Sequence, residues 1–476
     1  MWRDEMNIWV AVADSGSLRE LIHSLRYGGH GLLWPVSVYA AAQVVPHPFT
    51  MQFLHAAIAT AGVWLVFRFS PLPPRETLLF GFGYYLCFEY AIISRHYALG
   101  ALCLAAALAC LTGGRRPRYL LAAAALALLA QTTVYGLILC AAVAAASCVV
   151  LRREASWAGR GRQERVALGV AAAVLLMSAA AAAVWLRPPA DGAYAAGWNW
   201  MFSGERATST LASLWRAFVP VPIPGLHFWN TNLLDPFPAF AAAGGLLLAG
   251  LATWRLRTDD AALTCWAVGA GGLLLFAYTK YPGSQRHHGQ LFLVFMAGCW
   301  LQEWGRNRRA GPDGGRVGPV RPFGVWVGAL LAIQCAVGLY ASAMDLAYPF
   351  SASQAAAAYI RENRLDAGLI VADTDSAAVP VVGRLDHPRV FYPRCGRTQR
   401  LVVWDERRKR PFPEQDFLSA VREAGLRSGA PVLALTSYPL SKVPAFLEPV
   451  AHFAAGIVAD ECYDLYRFVP AAEIEE

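Results

Sequence analysis

The chain has 476 residues and a formal net charge of +8, with 56% of its residues hydrophobic and only 16% charged. That balance lies outside the range of soluble domains and marks an integral membrane protein. The basic residues sit mostly in short loops between apolar stretches, where they report membrane orientation, so the positive charge is no argument for nucleic-acid binding.

The opening residues, MWRDEMNIW, set Asp4 and Glu5 among Trp2, Met6, Ile8 and Trp9. Acidic residues near a terminus are ordinarily part of a solvated tail. Among apolar neighbours they are also candidates for a working carboxylate. The stretch HGLLWPVSVYAAAQVVP (30–46) reads as a helix lying along the membrane interface, with Trp34 and Tyr39 at headgroup level.

Ten apolar stretches of spanning character follow, near 50–69, 76–93, 97–113, 118–132, 134–151, 166–186, 236–254, 261–279, 288–304 and 323–343. Those at 118–132 and 134–151 are short and almost without a loop between them, which predicts tilted or broken helices. Loops after alternate stretches hold seventeen arginines, from the Arg68–Arg75 loop to the one that carries Arg306 and Arg321, against six Arg or Lys in the intervening loops. The arginine-rich side is therefore expected in the cytoplasm, with both chain ends outside. Eight of the ten Cys lie in apolar stretches; Cys395 and Cys462 alone fall in polar sequence, where a disulfide between them is possible.

After Leu346 the pattern becomes that of a water-soluble region. Helix-like 351–364 and 413–425 alternate with strand-like 368–373, 390–392, 401–405 and 431–437, which indicates a small α/β domain. No phosphate-binding glycine motif opens its helices, so it reads as structural or as a cover on the substrate side. The fold expected is a polytopic α-helical membrane protein of about ten spans: an extracytoplasmic first loop (1–49), a helical bundle (50–345) and a small C-terminal extracytoplasmic α/β domain (346–476).

Four clusters can carry chemistry on the outer side: Asp4 and Glu5; Glu89 with Arg95, His96 and Tyr97; the long loop 187–235; and Lys280 with Arg286, His287 and His288. Arg95 and His96 also suit plain interfacial anchors. Glu89, near the outer end of a span, is costly unless paired, and Arg95 or Arg286 is its expected partner. The loop presents Trp198, Trp200, Trp215 and Trp229 beside Asn and Asp, as sugar-stacking platforms or membrane anchors do. A carboxylate outside, cations at the outer rim and an apolar bundle beneath are the parts needed to transfer a group from a lipid-linked phosphate. The carboxylate deprotonates an acceptor hydroxyl while Arg, Lys or His neutralises the departing phosphate.

The order of these parts resembles the GT-C superfamily of membrane glycosyltransferases, which includes the protein O-mannosyltransferases and the aminoarabinose transferases of lipid A. It comprises an acidic pair in a first loop, GGHGLLWP (28–35) in an interfacial helix, two spans, then SRHYALG (94–100). The resemblance covers about residues 1–345 and implies a polyprenyl-phosphate-linked sugar donor, a glycan, lipid or protein acceptor, and a multi-pass protein of the inner (plasma) membrane. It makes Asp4 the base candidate, with Glu5 as second acidic residue. Arg95, His96 and Tyr97 become donor-phosphate contacts, joined by Lys280, Arg286, His287 and His288 through position and charge; Glu89, Trp198, Trp200 and Trp229 fall to the substrate. A divalent cation at Asp4 and Glu5 remains open. The family sets a transmembrane helix before its acidic pair, so the resemblance leads one to expect a helix missing ahead of Met1, by a late start or a truncation that costs activity. A lipid or polysaccharide transporter, or a non-catalytic relative, is the alternative reading.

Overall fold

The computed structural model describes residues 1–114, 118–154, 159–193, 200, 202–309, 324–408 and 411–470. The first residues are no solvated tail. Arg3–Asp14 form helix α1, and Met6, Ile8, Trp9, Val10, Ala11 and Val12 are buried on it. Glu5 closes its first turn, one carboxylate oxygen accepting from the Trp2 N–H at 2.9 Å as in a capping box. The other oxygen accepts from the Ser94 N–H at 2.6 Å, which fastens α1 to the chain just before Arg95.

Helices α2 (Leu18–Ser24) and α3 (Leu33–Ala42) follow. The interfacial helix expected over 30–46 is thus a helix over its centre, yet Trp34 is fully buried against the His55 ring instead of lying at headgroup level. The reason is tertiary: α3 packs between α1 and α4 (Pro48–Phe69), which supply the indole with apolar neighbours.

The chain is a multi-pass membrane protein. Among the described residues six helices are long and apolar enough to cross a bilayer: α4, α8 (Val134–Glu154), α9 (Arg162–Trp185), α11 (Pro238–Leu256), α12 (Asp260–Thr279) and α14 (Val325–Ala347). Among the described residues, α6 (His96–Thr112) and α7 (Tyr119–Ala130) are apolar but shorter, and α13 (Gln285–Arg309) carries charge at both ends. The stretch 76–93, read as one span, is not a single helix. Helix α5 (Pro74–Gly81) stops, and Tyr85–Glu89 form one π-type turn. Side chains hold this wider turn: the Tyr84 hydroxyl donates to the Glu89 carboxylate at 2.8 Å, and the Tyr85 hydroxyl to the Arg216 carbonyl at 3.0 Å. The loop 187–235 contains a further helix, α10 (Gly204–Phe218), packed on α11 and α13; its apolar residues recur at helical spacing between two Trp-rich segments that had drawn attention to the loop alone.

The short turn between α7 and α8 receives the chain leaving α2. The Gly31 N–H donates to the Thr132 carbonyl at 3.1 Å, and a Cβ on Gly31 would lie 1.9 Å from the Gln131 carbonyl oxygen, so only glycine allows this approach. Gly29, with φ of 65°, turns the chain so that His30 faces inward between the two glycines.

The C-terminal region is a helix-flanked sheet: α15 (Ser353–Glu362), β1 (Leu369–Asp373), α16 (Asp375–Val382), β2 (Arg389–Tyr392), β3 (Arg397–Thr398), α17 (Glu414–Ser428), β4 (Val432–Thr436), β5 (Leu447–Phe453) and β6 (Tyr463–Phe468). The strand order is β3-β2-β1-β4-β6-β5; β1 lies parallel to β2 and β4, and the outer pairings are antiparallel. Three strand-like and two helix-like stretches fall where the sequence sets them. The fourth, 401–405, is no strand of this sheet: Asp405 bridges to Gly192, and the Ala193 N–H donates to the Trp404 carbonyl at 2.8 Å, so its partner is the loop after α9. Strands β5 and β6 were not anticipated; β5 mixes Pro, Glu and His into an edge strand with three of its seven residues exposed, and β6 pairs with it. Cys395 and Cys462 are free thiols, which removes the disulfide.

Helix α1 packs on α16, and residues of α1, α3, β1 and β4 share one apolar core. The N-terminal segment is therefore wedged between bundle and sheet, and that wedge positions Asp4.

Candidate active site

Asp4 lies in the first turn of α1, and one carboxylate oxygen accepts from Arg286 at 2.9 Å and forms an ion pair with Arg95 at 3.0 Å. Arg95 is the residue before α6 and Arg286 the second of α13, so three elements distant in sequence converge there. Arg95 also donates to His30 Nε2 at 2.9 Å, which makes His30 a neutral acceptor with its proton on Nδ1. Burial, with Arg95 beside it, pushes His30 down to about 3. Burial alone would raise the Asp4 carboxyl, but Arg95 and Arg286 outweigh it and hold it below the ordinary carboxylate range. Arg286 stacks between indoles, 5.1 Å from the Trp2 ring and 6.0 Å from that of Trp229. The Nε atoms of Arg95 and Arg286 are buried without a partner among the described residues, so each guanidinium keeps hydrogen-bonding capacity beyond Asp4.

This cluster forms one wall of a cavity of about 1250 Å³, counting its open mouth. Its lining brings together Asp4, Arg95, Tyr97, Lys280, Arg286 and His287, all singled out in the sequence. It also includes residues that sequence reasoning passed over: Arg26, Tyr27, His30, Tyr135, Trp185, Arg187 and Tyr281. His30 lay inside the quoted GGHG stretch and could have been found from its glycines; Arg26 and Arg187 carried no signal beyond their charge. The cavity runs on into an apolar groove between α8, α9 and α12, through shared residues Val134, Leu186, Phe276 and Lys280. Trp200 stands at that groove with the Lys280 ammonium 4.5 Å from its ring centre, and it stacks on Phe202.

Other candidates are used differently. Glu5 spends its oxygens on backbone N–H groups. With Asp4 committed to two arginines, the pair does not fit a divalent cation, and no group of three or more metal-ligating side chains occurs among the described residues. Glu89 pairs with neither Arg95 nor Arg286; its carboxylate accepts from the Tyr84 hydroxyl at 2.8 Å and the Trp229 indole at 3.1 Å, because the π-type turn aims it away from the cavity. Trp229 is thereby locked, edge-on to Trp2, behind Arg286. His96 packs on His30 and Tyr97 without lining the cavity. His287 Nδ1 is held by Ser284, and His288 Nε2 donates to the Pro282 carbonyl at 3.0 Å. Trp198 lies outside the described residues.

No protein-family model and no curated protein matches the chain. Among solved structures it is similar to the crystal structure of ArnT from Cupriavidus metallidurans bound to undecaprenyl phosphate, at 12% identity and a TM-score of 0.48, over 98% of this chain and 94% of that one.

Proposed function

We propose that this protein is a membrane glycosyltransferase that moves a sugar from a polyprenyl-phosphate carrier to an acceptor hydroxyl, on the extracytoplasmic side. One observation carries the reading: a carboxylate clamped by two arginines lines a cation-rich cavity that opens, past Lys280, into an apolar groove along three spanning helices. The groove suits an isoprenoid tail, and the cavity suits the phosphate and sugar. The order of motifs that resembles the GT-C superfamily supports the same assignment.

Arg95 and Arg286, with Lys280 at the groove's edge, take the donor phosphate and neutralise charge on it as the sugar leaves. The acceptor oxygen bonds to the anomeric carbon, while the bond from that carbon to the phosphate oxygen breaks with its electron pair on the phosphate. The hydroxyl proton goes to Asp4. Paired with both guanidinium groups, Asp4 is a weak base, because they favour its ionised form. As the arginines turn toward phosphate, that stabilisation is shared and the carboxylate gains basicity, which links proton removal to a loaded donor site. His30 stays neutral and orients Arg95.

The test uses the full chain in lipid nanodiscs with undecaprenyl phosphate as probe. Micromolar binding is expected, weakened about 30-fold or more by Arg286→Ala, the loss of roughly 2 kcal/mol that a charge-assisted contact provides. Equal binding by wild type and the Arg95→Ala and Arg286→Ala variants would remove the phosphate from this cavity.

A further inference from the structure

A second cavity, of about 690 Å³ with its mouth, lies between α1, α3 and the sheet domain. Four residues line both this chamber and the larger cavity: Asp4, Gly28, His30 and Arg95. They form the partition, and Asp4 is its one carboxylate. The far wall belongs to the C-terminal region, through Ser376 at the start of α16, Val402 and Trp404.

The two chambers differ in charge. The larger one adds Arg26, Arg187, Lys280 and Arg286 to the partition. The smaller one adds Arg3 alone, and Arg3 is already committed: its Nε donates to Glu461 at 3.0 Å, and its terminal nitrogen pairs with Asp460. Arg95 is held by Asp4 and His30. An anion entering here would meet the Asp4 carboxylate, find Arg3 engaged and have to compete for Arg95 with Asp4, His30 and the donor phosphate, so it would lose hydration without recovering it. Uncharged hydrogen-bonding groups do remain. The Ser376 hydroxyl and the Asn7 side-chain NH2 have no partner among the described residues, and His30 keeps an N–H on Nδ1. With the Trp404 indole and Pro35 beside them, the lining combines flat apolar surface with dispersed neutral donors and acceptors.

We infer that this chamber is the acceptor site and that it reads an uncharged, hydroxylated sugar unit through Asn7, Ser376 and Trp404, presenting one hydroxyl to Asp4 from the face opposite the donor. The inference rests on the donor assignment above. It commits to a neutral glycan rather than a phosphate-bearing or peptide acceptor, and it gives the sheet domain a role in specificity.

Saturation-transfer NMR on the full chain in nanodiscs tests it, with methyl glucoside, methyl glucuronide, glucose 6-phosphate and a Ser/Thr-rich peptide as probes. Methyl glucoside should receive saturation, each anionic sugar at least threefold less, and the peptide none. Ser376→Trp, which fills the chamber, should cut the methyl glucoside signal at least fivefold while undecaprenyl phosphate still binds; that retained binding reports a folded protein. The milder Ser376→Ala and Asn7→Ala variants should each lower it two- to threefold. Anionic sugars binding as well as the neutral one, a peptide that alone binds, or a methyl glucoside signal untouched by all three variants would each overturn the assignment. Donor affinity is read separately: its absence in the wild type overturns the donor reading, while the chamber stands or falls on the sugar signals.

Discussion

Helix α13 carries the same ionic arrangement at both ends, and only one end is a candidate site. Near its start, Asp4 is clamped between Arg286 and Arg95; near its end, Glu303 is clamped between Arg255 at 2.9 Å and Arg306 at 3.1 Å. The two clamps lie about 25 Å apart along the helix, close to the thickness of a hydrocarbon core. Both carboxylates are held by charge-assisted bonds, so the arrangement itself does not mark function. The surroundings do. Arg255 spends further hydrogen bonds on Gln302, and Glu303 lines neither of the cavities beside Asp4 nor the apolar groove. Arg95 and Arg286 keep unpartnered Nε atoms beside a large cavity, and their carboxylate stands between two chambers. A triad that is fully satisfied holds helices together; one whose arginines line a cavity and keep an unspent donor each can hold a ligand.

Replacing the two carboxylates should give the largest contrast. Asp4→Asn should lower transfer per folded molecule by a hundredfold or more, since a positioned base contributes about that much. Glu303→Gln should instead lower stability by about 2 kcal/mol, the loss of its charge-assisted bonds to two half-buried arginines, with turnover of the surviving protein near normal. Thermal unfolding measured beside initial rates separates the two; equal rate losses would erase the distinction.

The arginines give the next effect. Arg286→Lys should recover part of the donor affinity that Arg286→Ala loses, because the charge remains and the fork does not. Arg255→Ala should leave undecaprenyl-phosphate affinity unchanged, and a matching loss there would mean that the assay reports folding.

A smaller effect is expected in pH profiles. The Asp4 carboxyl lies below its ordinary range, so its ion pairs are fully present above about pH 4, the unfolded value, and are lost as pH falls through the lower folded value. His30, at about 3, stays neutral throughout. Binding of a polyprenyl-phosphate sugar, whose phosphodiester does not titrate in this range, should therefore be level from about pH 5 to 8 with no histidine limb. Arg95→Gln removes a charge that depresses both groups, so any acid limb should move upward in that variant; an inflection near 6.5 in the wild type would contradict the neutral His30.

The smallest effect belongs to Arg26 and Arg187, which are exposed at the mouth of the cavity. Alanine at either should weaken donor affinity by less than about 1 kcal/mol, and the difference should fade as salt rises. A loss as large as that of Arg286→Ala would move the phosphate outward.

What could be read in advance follows how far each signal extends along the chain. Hydropathy is local, and it located the α4, α8, α9, α11, α12 and α14 segments. Charge in an apolar chain is costly, and that drew attention to Asp4, Arg95 and Arg286. Glu5 and Glu89 drew it for the same reason, although one closes a helix turn and the other fixes a Tyr and a Trp. Cost shows that a charge has a partner, not which one.

The sequence by itself therefore determined a helical membrane protein with a C-terminal α/β region and a short roster of charges placed among apolar stretches, because composition and periodicity act over one or two turns of chain. Only the tertiary structure decided that residues 4, 95 and 286 meet, that Trp34 is buried, that the 76–93 stretch breaks into a π-type turn, and that Ser376 and Trp404 of the distant sheet region face Asp4 across a chamber. Each of these is a pairing between elements remote in sequence, chosen by which surfaces bury well against one another, and no local pattern encodes that choice.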